Sequence, residues 1–423
     1  MTHFGIICPA ESGHLNTMLP LAQELQRRGH RLTMIAVEDA QEKTIAAGLE
    51  FKAIGKDKFP KGKLKECFVE LGKLSGLAAL KYTIELFKDE ATVLLRDAPV
   101  VIKESGVEAL LVDQTIQAGG VIAEFVGIPF VTICSAVVLN REPGVPPFNT
   151  PWQYSHTWWA RLRNELGYQI LSRVAKPIKD LIDDSRQNWN LPLYSHVNKS
   201  YSPLAQISHQ PAELEFPREN LPEWFHFTGP YHYSANRKPV PFPWEKLTGQ
   251  PLIYASMGTL QNRLVDVFKT IASACEGLDA QLVITLGGSF SPESLPELPG
   301  NPLVVSYAPQ LELLQKTTLT ITHAGMNTTL ECLTNGVPMV AIPVANDQPG
   351  IASRIAWTGV GEVVPLKKLS VEKLREAVKQ VLTEDSYKKN ALRLQEAIKR
   401  SGGVKKAADI IEQVVSTGKP VLA

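Results

Sequence analysis

The sequence lacks the features that would assign it to nucleic acid binding or to an oxidising compartment. Its 44 basic and 43 acidic residues leave a formal net charge of +1, which gives no electrostatic reason to expect a nucleic acid partner. Its five cysteines are odd in number and contain no Cys-x-x-Cys pair, so we interpret them as small core residues of a protein in a reducing compartment. They are Cys8, Cys67, Cys134, Cys275 and Cys332.

No segment has the composition of a signal peptide or of a membrane-spanning helix. The first residues lack a basic region and a long apolar core, and they predict a β-strand. Glu124 and the sequence Gly127-Ile-Pro129 interrupt the apolar stretch 119–139, which predicts a helix followed by a strand. We therefore expect a cytoplasmic protein. Because no Gly-x-Gly-x-x-Gly follows the first strand, the sequence also argues against a dinucleotide-dependent oxidoreductase.

What is present is an alternation of short apolar strands and amphipathic helices in both halves of the chain. With 423 residues, the chain is long enough for two domains that each bury a core. The alternation predicts the α/β class, with two Rossmann-like, doubly wound parallel sheets. A proline-rich stretch without apolar periodicity predicts a linker. We expect a first domain over 1–232, a linker over 233–250, a second domain over 251–400 and a C-terminal helical segment over 401–423.

The residues between 307 and 348 carry the clearest functional pattern. A predicted buried strand leads to His323 and to a helix that begins near Asn327. The free N–H groups and the positive dipole end at such a helix start favour a phosphate. Glu331 and the Asp347-Gln348 pair add side chains that can bind hydroxyl groups. Together these residues predict a ligand that contains a diphosphate and a sugar.

This stretch resembles the signature of the glycosyltransferases that use UDP-sugars, among them plant secondary-product enzymes and bacterial macrolide and carotenoid glucosyltransferases. The family signature reads Trp-Ala-Pro-Gln, then His-Cys-Gly-Trp-Asn-Ser, then Glu, then Asp or Glu followed by Gln. The chain departs from it at four positions, which are Tyr307, Ala324, Met326 and Thr328. The resemblance covers nearly the whole chain. It implies the two-domain GT-B architecture, in which the two sheets face each other across a cleft.

The resemblance also implies a set of donor-binding residues. The residues expected to bind the diphosphate are Ser256, Gly258, Thr259, His323, Gly325, Asn327 and Thr328. The residues expected to bind the nucleoside and the transferred sugar are Tyr307, Ala308, Gln310, Glu331, Asp347 and Gln348. Tyr307 would stack on uracil, and Glu331 would accept hydrogen bonds from the ribose. The Asp347-Gln348 pair favours UDP-glucose without excluding another UDP-hexose. Thr328 and Glu331 also fit a helix capping box, which is an alternative role for both.

Two residues of the first half form a candidate catalytic pair. His14 follows the first predicted strand and Asp113 follows the strand 109–112, so both lie at the carboxyl edge of the predicted sheet. A neutral imidazole can remove a hydroxyl proton, and a carboxylate on its other nitrogen fixes its tautomer. Taken alone, His14 would more often be a helix cap or a solvated side chain, and Asp113 a cap. The resemblance implies that His14 is the base and Asp113 its partner.

The chain contains no Asp-x-Asp sequence, the motif with which glycosyltransferases of the other major fold hold a divalent cation. We therefore expect no metal and no cofactor, with the UDP-sugar as a co-substrate. The helix that starts near Asn327 would stabilise the departing diphosphate instead.

The predicted reaction moves a hexose, in the first place glucose, to an acceptor hydroxyl in one in-line displacement and gives a β-O-glycoside. A covalent intermediate would need a carboxylate nucleophile beneath the sugar, and the sequence offers no clear candidate. One alternative is a non-catalytic nucleotide-sugar-binding accessory protein, although such a protein should have lost His14 and Asp113. Another is an acceptor-independent UDP-sugar hydrolase or epimerase of the same fold.

The acceptor is suggested by an aromatic region between Pro143 and Arg186. This region predicts either ordinary helix packing and loop burial, or an apolar acceptor pocket or membrane-facing lid, and the sequence does not decide between them. We expect a hydroxylated apolar acceptor of the carotenoid, polyphenol, sterol or macrolide type. Peripheral contact with a membrane is an open alternative at this point.

Overall fold

The computed structural model describes residues 1–71, 74, 76–231, 240–258, 265–288 and 291–423. Its strands form two separate sheets, each with parallel neighbours throughout and helices on both faces. This architecture confirms the predicted α/β class with two doubly wound parallel sheets.

The first sheet has seven strands in the order β3-β2-β1-β4-β5-β6-β7. These strands are β1 His3–Ile7, β2 Arg31–Ala36, β3 Glu50–Ala53, β4 Ala109–Asp113, β5 Phe130–Cys134, β6 Gln206–Ser208 and β7 Phe225–Phe227. The helices of this half are α1 Ser12–Arg27, α2 Gln41–Ala46, α3 Lys63–Leu71, α4 Gly76–Ser105, α5 Gln117–Val126, α6 Trp158–Val174 and α7 Lys176–Asn188.

The second sheet has six strands in the order β10-β9-β8-β11-β12-β13. These strands are β8 Leu252–Ser256, β9 Gln281–Thr285, β10 Leu303–Val305, β11 Thr317–Thr322, β12 Met339–Ala341 and β13 Gly361–Val363. The helices of this half are α8 Val265–Cys275, α9 Gln310–Leu314, α10 Met326–Thr334, α11 Gln348–Trp357, α12 Val371–Thr383, α13 Asp385–Arg400 and α14 Gly403–Thr417.

The strand orders place a switch point in each sheet. In the first sheet β1 lies between β2 and β4, and in the second sheet β8 lies between β9 and β11. The connections that follow β1 and β4 therefore run to opposite sides of the first sheet, and those that follow β8 and β11 run to opposite sides of the second. This leaves a crevice at the carboxyl ends of these strands. All five residues of β1, β4 and β8 are buried, as expected for central strands covered by helices on both faces.

The last helix returns to the first domain. Ala407, Ile411 and Val414 of α14 belong to the same buried cluster as Leu21 and Leu25 of α1. At the edge of this contact, Arg28 forms ion pairs with Asp409 and Glu412, each at 2.6 Å.

The predicted linker 233–250 lies partly outside the described residues, because 232–239 are not described. In its remainder, Phe242 is buried in the core of the second domain and packs against Trp244. That core extends across the domain junction to Val137 and Leu214 of the first domain.

Two further expectations concern cysteine and the membrane. All five cysteines are free and buried, which confirms that they are core residues. Within the described ranges, no helix is long and apolar enough to cross a membrane.

Candidate active site

His14 lies at the first switch point, in the first turn of α1. The carbonyl oxygen of Glu11 accepts the N–H groups of His14 and Leu15, both at 3.1 Å, so the helix begins at Ser12. The sequence pattern predicts a helix from about Asn16 with His14 in a loop, and that boundary is wrong. Gly13 does not prevent the earlier start, because the cost of about 1 kcal/mol that glycine adds to a helix is small beside the packing of the buried face of α1.

The imidazole of His14 is held by two residues at the carboxyl ends of the neighbouring strands. Its Nδ1 lies 2.9 Å from Asp113 Oδ2 and 2.7 Å from the hydroxyl oxygen of Ser135, which itself donates to the same carboxylate oxygen. The other oxygen of Asp113 accepts the backbone N–H of Thr115 at 2.9 Å and its hydroxyl at 2.6 Å. Among the described residues, His14 Nε2 has no hydrogen-bond partner, so the ring can face an acceptor.

The charges around His14 favour its protonated form. Burial lowers the pKa of His14, but the negative charge of Asp113, its hydrogen bond to the ring, and the charges of Glu11 and Asp347 together raise it to about 9. The pKa of Asp113 is lowered, because the favourable effects of His14, Ser135 and Thr115 outweigh its complete burial. The pair is therefore an imidazolium–carboxylate pair at neutral pH, and the free base forms as the pH rises toward 9.

His323 lies at the second switch point, between two glycines. A Cβ atom at Gly258 would lie 2.6 Å from His323 Nε2, and a Cβ at Gly325 would lie 2.5 Å from the same atom. Only glycine leaves room for the imidazole at these two positions. Burial lowers the pKa of His323 to about 4, so the ring is neutral near pH 7 and acts as a hydrogen-bond donor rather than as a cation.

The turn before α10 points the start of this helix at the cleft. Ala324 has a left-handed backbone, with φ 66°, and Gly325 is the N-cap without a side-chain cap. The side-chain amide of Asn327 donates to the carbonyl oxygen of Gly13 at 2.7 Å, and the Thr17 hydroxyl donates to its amide oxygen at 3.4 Å. The side chain of Asn327 thus joins α10 to α1, which leaves its backbone N–H for a phosphate.

The predicted ribose-binding residues form a small network. Gln310 donates to a carboxylate oxygen of Glu331 at 2.6 Å and accepts the hydroxyl of Tyr254 at 2.9 Å. Thr328 lies 3.5 Å from the same amide nitrogen of Gln310. The capping-box alternative is wrong, because Gly325 caps the helix and Thr328 already lies within its first turn. Glu331 is therefore held by Gln310 at the side of the cleft.

The predicted sugar-binding pair begins α11 and reaches the first domain. Asp347 Oδ2 lies 3.5 Å from the backbone nitrogen of Val137, which follows β5, and its charge acts on His14. Gln348 folds its amide oxygen back onto the N–H groups of Val344 and Ala345, at 2.9 and 3.1 Å. The amide NH₂ group of Gln348 is thereby oriented by the protein itself. The structure thus brings Asp347 near the candidate catalytic pair.

The remaining predicted donor residues lie around the same strand ends. Tyr307 is 48% exposed, and its ring lies beside Gly288, where a Cβ atom would be 3.1 Å from the ring. Ala308 is buried beside it, and Ser256 is the last residue of β8. Thr259 lies outside the described residues, so its predicted role stays a prediction.

Comparisons with known proteins agree with this geometry. Residues 6–405 match the family described as "UDP-glucoronosyl and UDP-glucosyl transferase". The chain belongs to this family. This UDP-glycosyltransferase is 34% identical to the zeaxanthin glucosyltransferase of Pantoea ananas, over 100% of this chain and 98% of that protein. It is 30% identical to the zeaxanthin glucosyltransferase of Pseudescherichia vulneris, over 100% of both chains.

Solved structures show the same fold. The glycosyltransferase of kitacinnamycin matches with a TM-score of 0.78 at 23% identity, over 97% of this chain and 98% of that one. The calicheamicin glycosyltransferase CalG4 matches with a TM-score of 0.76 at 22% identity, over 99% of this chain and 100% of that one. Both support the predicted GT-B architecture. Family membership identifies the protein as a transferase, against the accessory-protein and hydrolase or epimerase alternatives.

Several residues that act on the candidate base of this UDP-glycosyltransferase were not predicted from the sequence. Ser135 directly follows β5, so the rule that places Asp113 at the end of β4 applies to it as well. Glu11 is the N-cap of α1, three residues before His14, and no motif marked it, whereas Glu90 gave no signal because its proximity to His14 depends on the packing of α4 against the site. Burial, with the nearby negative charges, raises the pKa of both carboxyl groups. Among the described residues, no three His, Cys, Asp or Glu side chains form a group that could hold a metal ion.

Proposed function

We propose that this UDP-glycosyltransferase transfers glucose from UDP-glucose to a hydroxyl group of a carotenoid-like acceptor, with inversion at the anomeric carbon. The observation that carries the proposal is the position of His14. Its Nδ1 is held by Asp113, and its Nε2 has no hydrogen-bond partner among the described residues. The negative charge of Asp347, at the start of α11, contributes to the raised pKa of His14. The base and the predicted sugar-binding residue thus meet at the same point of the cleft.

The proposed step is a single displacement. The acceptor oxygen attacks the anomeric carbon as the bond from that carbon to the diphosphate breaks, and the acceptor proton passes to His14 Nε2. Asp113 stabilises the imidazolium that forms. UDP leaves from the opposite face of the sugar, so an α-linked donor gives a β-glucoside.

We propose that backbone dipoles and neutral side chains, without a metal, stabilise the leaving UDP. The start of α10 supplies backbone N–H groups, and the neutral imidazole of His323 lies directly before it. The absence of Asp-x-Asp from the sequence supports this choice. Glucose is favoured by the Asp347-Gln348 pair, because the family resemblance assigns these residues to the hydroxyls of the transferred sugar.

We propose a hydroxylated carotenoid as the acceptor, because two relatives that match the full chain are zeaxanthin glucosyltransferases. Such a molecule dissolves in a bilayer, so the enzyme would contact a membrane peripherally. The five free, buried cysteines support a reducing cytoplasmic location.

The experiment is a transfer assay with a panel of acceptors. The protein is incubated with UDP-glucose and, separately, with zeaxanthin, a sterol, a polyphenol and a macrolide, and the products are analysed by mass and by NMR. The proposal predicts one or two added hexoses on zeaxanthin, with β anomeric protons. An α-linkage would contradict the inverting mechanism, and transfer to every acceptor except zeaxanthin would contradict the acceptor class. Free glucose released equally with and without acceptor would contradict transfer.

A further inference from the structure

The outer face of α6 is an apolar strip on the surface of the first domain. Its five large apolar side chains, at helical spacing, are Trp158, Trp159, Leu162, Leu166 and Ile170, which are 76%, 51%, 50%, 52% and 59% exposed. Single exposed apolar residues are ordinary, but a continuous group on one helix face marks an interaction surface. The aromatic region between 143 and 186 therefore does not serve packing alone.

The strip is accompanied by positive charge. Helix α6 contains three arginines and one acidic residue, Glu165. Arg161 is ion-paired with Glu219 at 2.8 Å, so the positive charge of the strip comes from Arg163 and Arg173. Arg173 is exposed three residues beyond Ile170. The guanidinium of Arg163 lies 5.6 Å from the centre of the Trp159 ring. Tryptophan and leucine on one face with arginine beside them are typical of helices that lie in the interface of a bilayer.

The strip is too small to hold a second protein molecule stably. Helix α6 has 17 residues, which gives a length of about 26 Å and a width of about 10 Å. The five side chains of the strip compare with the roughly 20–30 residues that each partner contributes to a standard protein interface. A bilayer needs no matching shape, and its anionic head groups complement the arginines.

We infer that the exposed face of α6 binds the surface of an anionic lipid bilayer, with Trp158, Leu162 and Leu166 inserted at the level of the head groups. This inference rests on the proposed function, because an acceptor dissolved in lipid is the reason for the enzyme to bind a membrane.

The opposite face of α6 connects the strip to the cleft. Tyr168 and Leu171 line a small cavity together with Val138, Leu139 and Phe148. The carbonyl oxygen of Phe148 lies directly against Gly350 of α11, two residues after Gln348. Helix α6 thus lies between the proposed bilayer surface and the segment around Phe148 that contacts α11. An apolar acceptor could enter the cleft from the bilayer along this path.

The test is flotation of the full-length protein with vesicles of phosphatidylcholine, with and without about one-third phosphatidylglycerol. The strip variant combines Trp158→Ser, Leu162→Ser and Leu166→Ser. The matched control combines Ile45→Ser, Leu193→Ser and Leu392→Ser, whose native side chains are 56%, 50% and 42% exposed and lie outside α6 in the chain. We expect the native protein and the control to float with anionic vesicles, less so at high salt. The strip variant should bind at least about tenfold more weakly.

Three outcomes would overturn the inference: no flotation of the native protein, equal flotation of the strip variant, or a native dimer that the strip variant converts to a monomer in light scattering. Glucose transfer to zeaxanthin dispersed in detergent, without a bilayer, is measured in parallel. All three proteins should transfer at the same rate, because the strip lies outside the catalytic site. Absence of this transfer in all three proteins would count against the proposed function and not against the membrane surface.

Discussion

At the scale of single residues, the most consequential feature is the number of carboxylates that act on one imidazole. Asp113 contacts the ring directly, and Glu11 and Asp347 add negative charge from the two sides of the cleft. Together they outweigh the burial of His14 and hold its pKa at about 9. The same charges that orient His14 therefore favour its protonated form at neutral pH, and in the proposed mechanism only the small neutral fraction would act as the base.

The first prediction concerns this pH dependence. Because the base acts only when neutral, kcat/KM for the acceptor should rise about tenfold per pH unit from about pH 6 and level off near pH 9. Asp113→Asn removes the main charge that raises the pKa, so its inflection should move down toward that of free histidine, while the limiting rate falls. Initial rates with a non-ionising alcohol acceptor measure both profiles. A flat profile between about pH 6 and 9 would contradict the role of His14.

The residues of the candidate catalytic site differ in how far the sequence predicts them. His14 and Asp113 were predicted to meet because both follow buried parallel strands, and they lie 2.9 Å apart. Ser135 obeys the same rule and was missed, since serine is common in the turns that follow strands whether or not a site is present. Glu90 was not predictable, because it reaches the site from α4, a helix of 30 residues that the sequence patterns did not reveal.

At the scale of secondary-structure elements, the start of α10 depends on an unusually close packing of a side chain against backbone. Gly325 has φ −69°, a conformation that alanine adopts without strain, yet a Cβ there would collide with the imidazole of His323. The glycine is therefore required for space and not for backbone freedom.

The second prediction follows from this contact. Gly325→Ala should destabilise the protein by about 1–3 kcal/mol, because the Cβ overpacks the His323 ring, and should weaken UDP binding by displacing that ring. Adding His323→Ala should restore most of the stability but not the affinity. Thermal unfolding and calorimetric titration with UDP measure the two effects. Unchanged stability of the single variant would contradict the described contact.

As a control, Gly29→Ala tests a glycine that is required for its backbone conformation and not for space. Gly29 has φ 91° and no atom within 4 Å of its would-be Cβ. Its replacement should cost stability through backbone strain of about 1–2 kcal/mol and leave UDP binding unchanged.

The elements that carry the site were largely predictable, and those at the periphery were not. The central strands β1, β4, β8 and β11 are runs of five or six almost entirely buried residues, which sequence patterns identify well. Strands β6, β7 and β13 have three residues each, too few to show a period. Helices α6 and α7 were expected as a loop-rich aromatic region, because the exposed apolar face of α6 obscures the amphipathic pattern on which helix prediction depends.

At the scale of the whole molecule, a buried ion pair joins the two domains beside the cleft. The guanidinium of Arg354 in α11 lies 2.5 Å from Glu215 of the first domain, and the two side chains are 1% and 2% exposed. Arg354 also stacks on Phe216, with 4.4 Å from its guanidinium carbon to the ring centre. Burial alone would raise the pKa of Glu215, but the positive charges of Arg354 and Arg218 lower it.

The third prediction tests this junction. Glu215→Ala leaves the charges of Arg354 and Arg218 buried without their partner and should cost about 3–5 kcal/mol. Adding Arg354→Met should recover only part of that loss, because Arg218, 3.3 Å from Glu215 in the native protein, stays buried. The lowered pKa of Glu215 means that its contribution is present above its unfolded pKa and is lost as the pH falls through the folded value. Calorimetric unfolding at several pH values measures both effects. Equal stability of the single and double variants would contradict a buried pair.

The candidate site lies in the cleft and is formed by both domains, because each domain supplies a different group of its residues. The first domain supplies His14 and Asp113, and the second supplies His323, the start of α10 and Asp347. Asn327 and Gly13 join the two helix starts at 2.7 Å. The sequence could indicate the two halves separately, but the distance between them follows only from the folded chain.

The most direct test of the proposed mechanism is His14→Ala, assayed for both transfer and donor binding. We expect glucose transfer to fall by about 10²–10⁴-fold at about pH 8, because the acceptor proton has no base. The affinity for UDP should stay within about twofold of the native value, because the phosphate site lies in the other domain. Transfer at the native rate in a variant that binds UDP normally would contradict the assignment of His14 as the base.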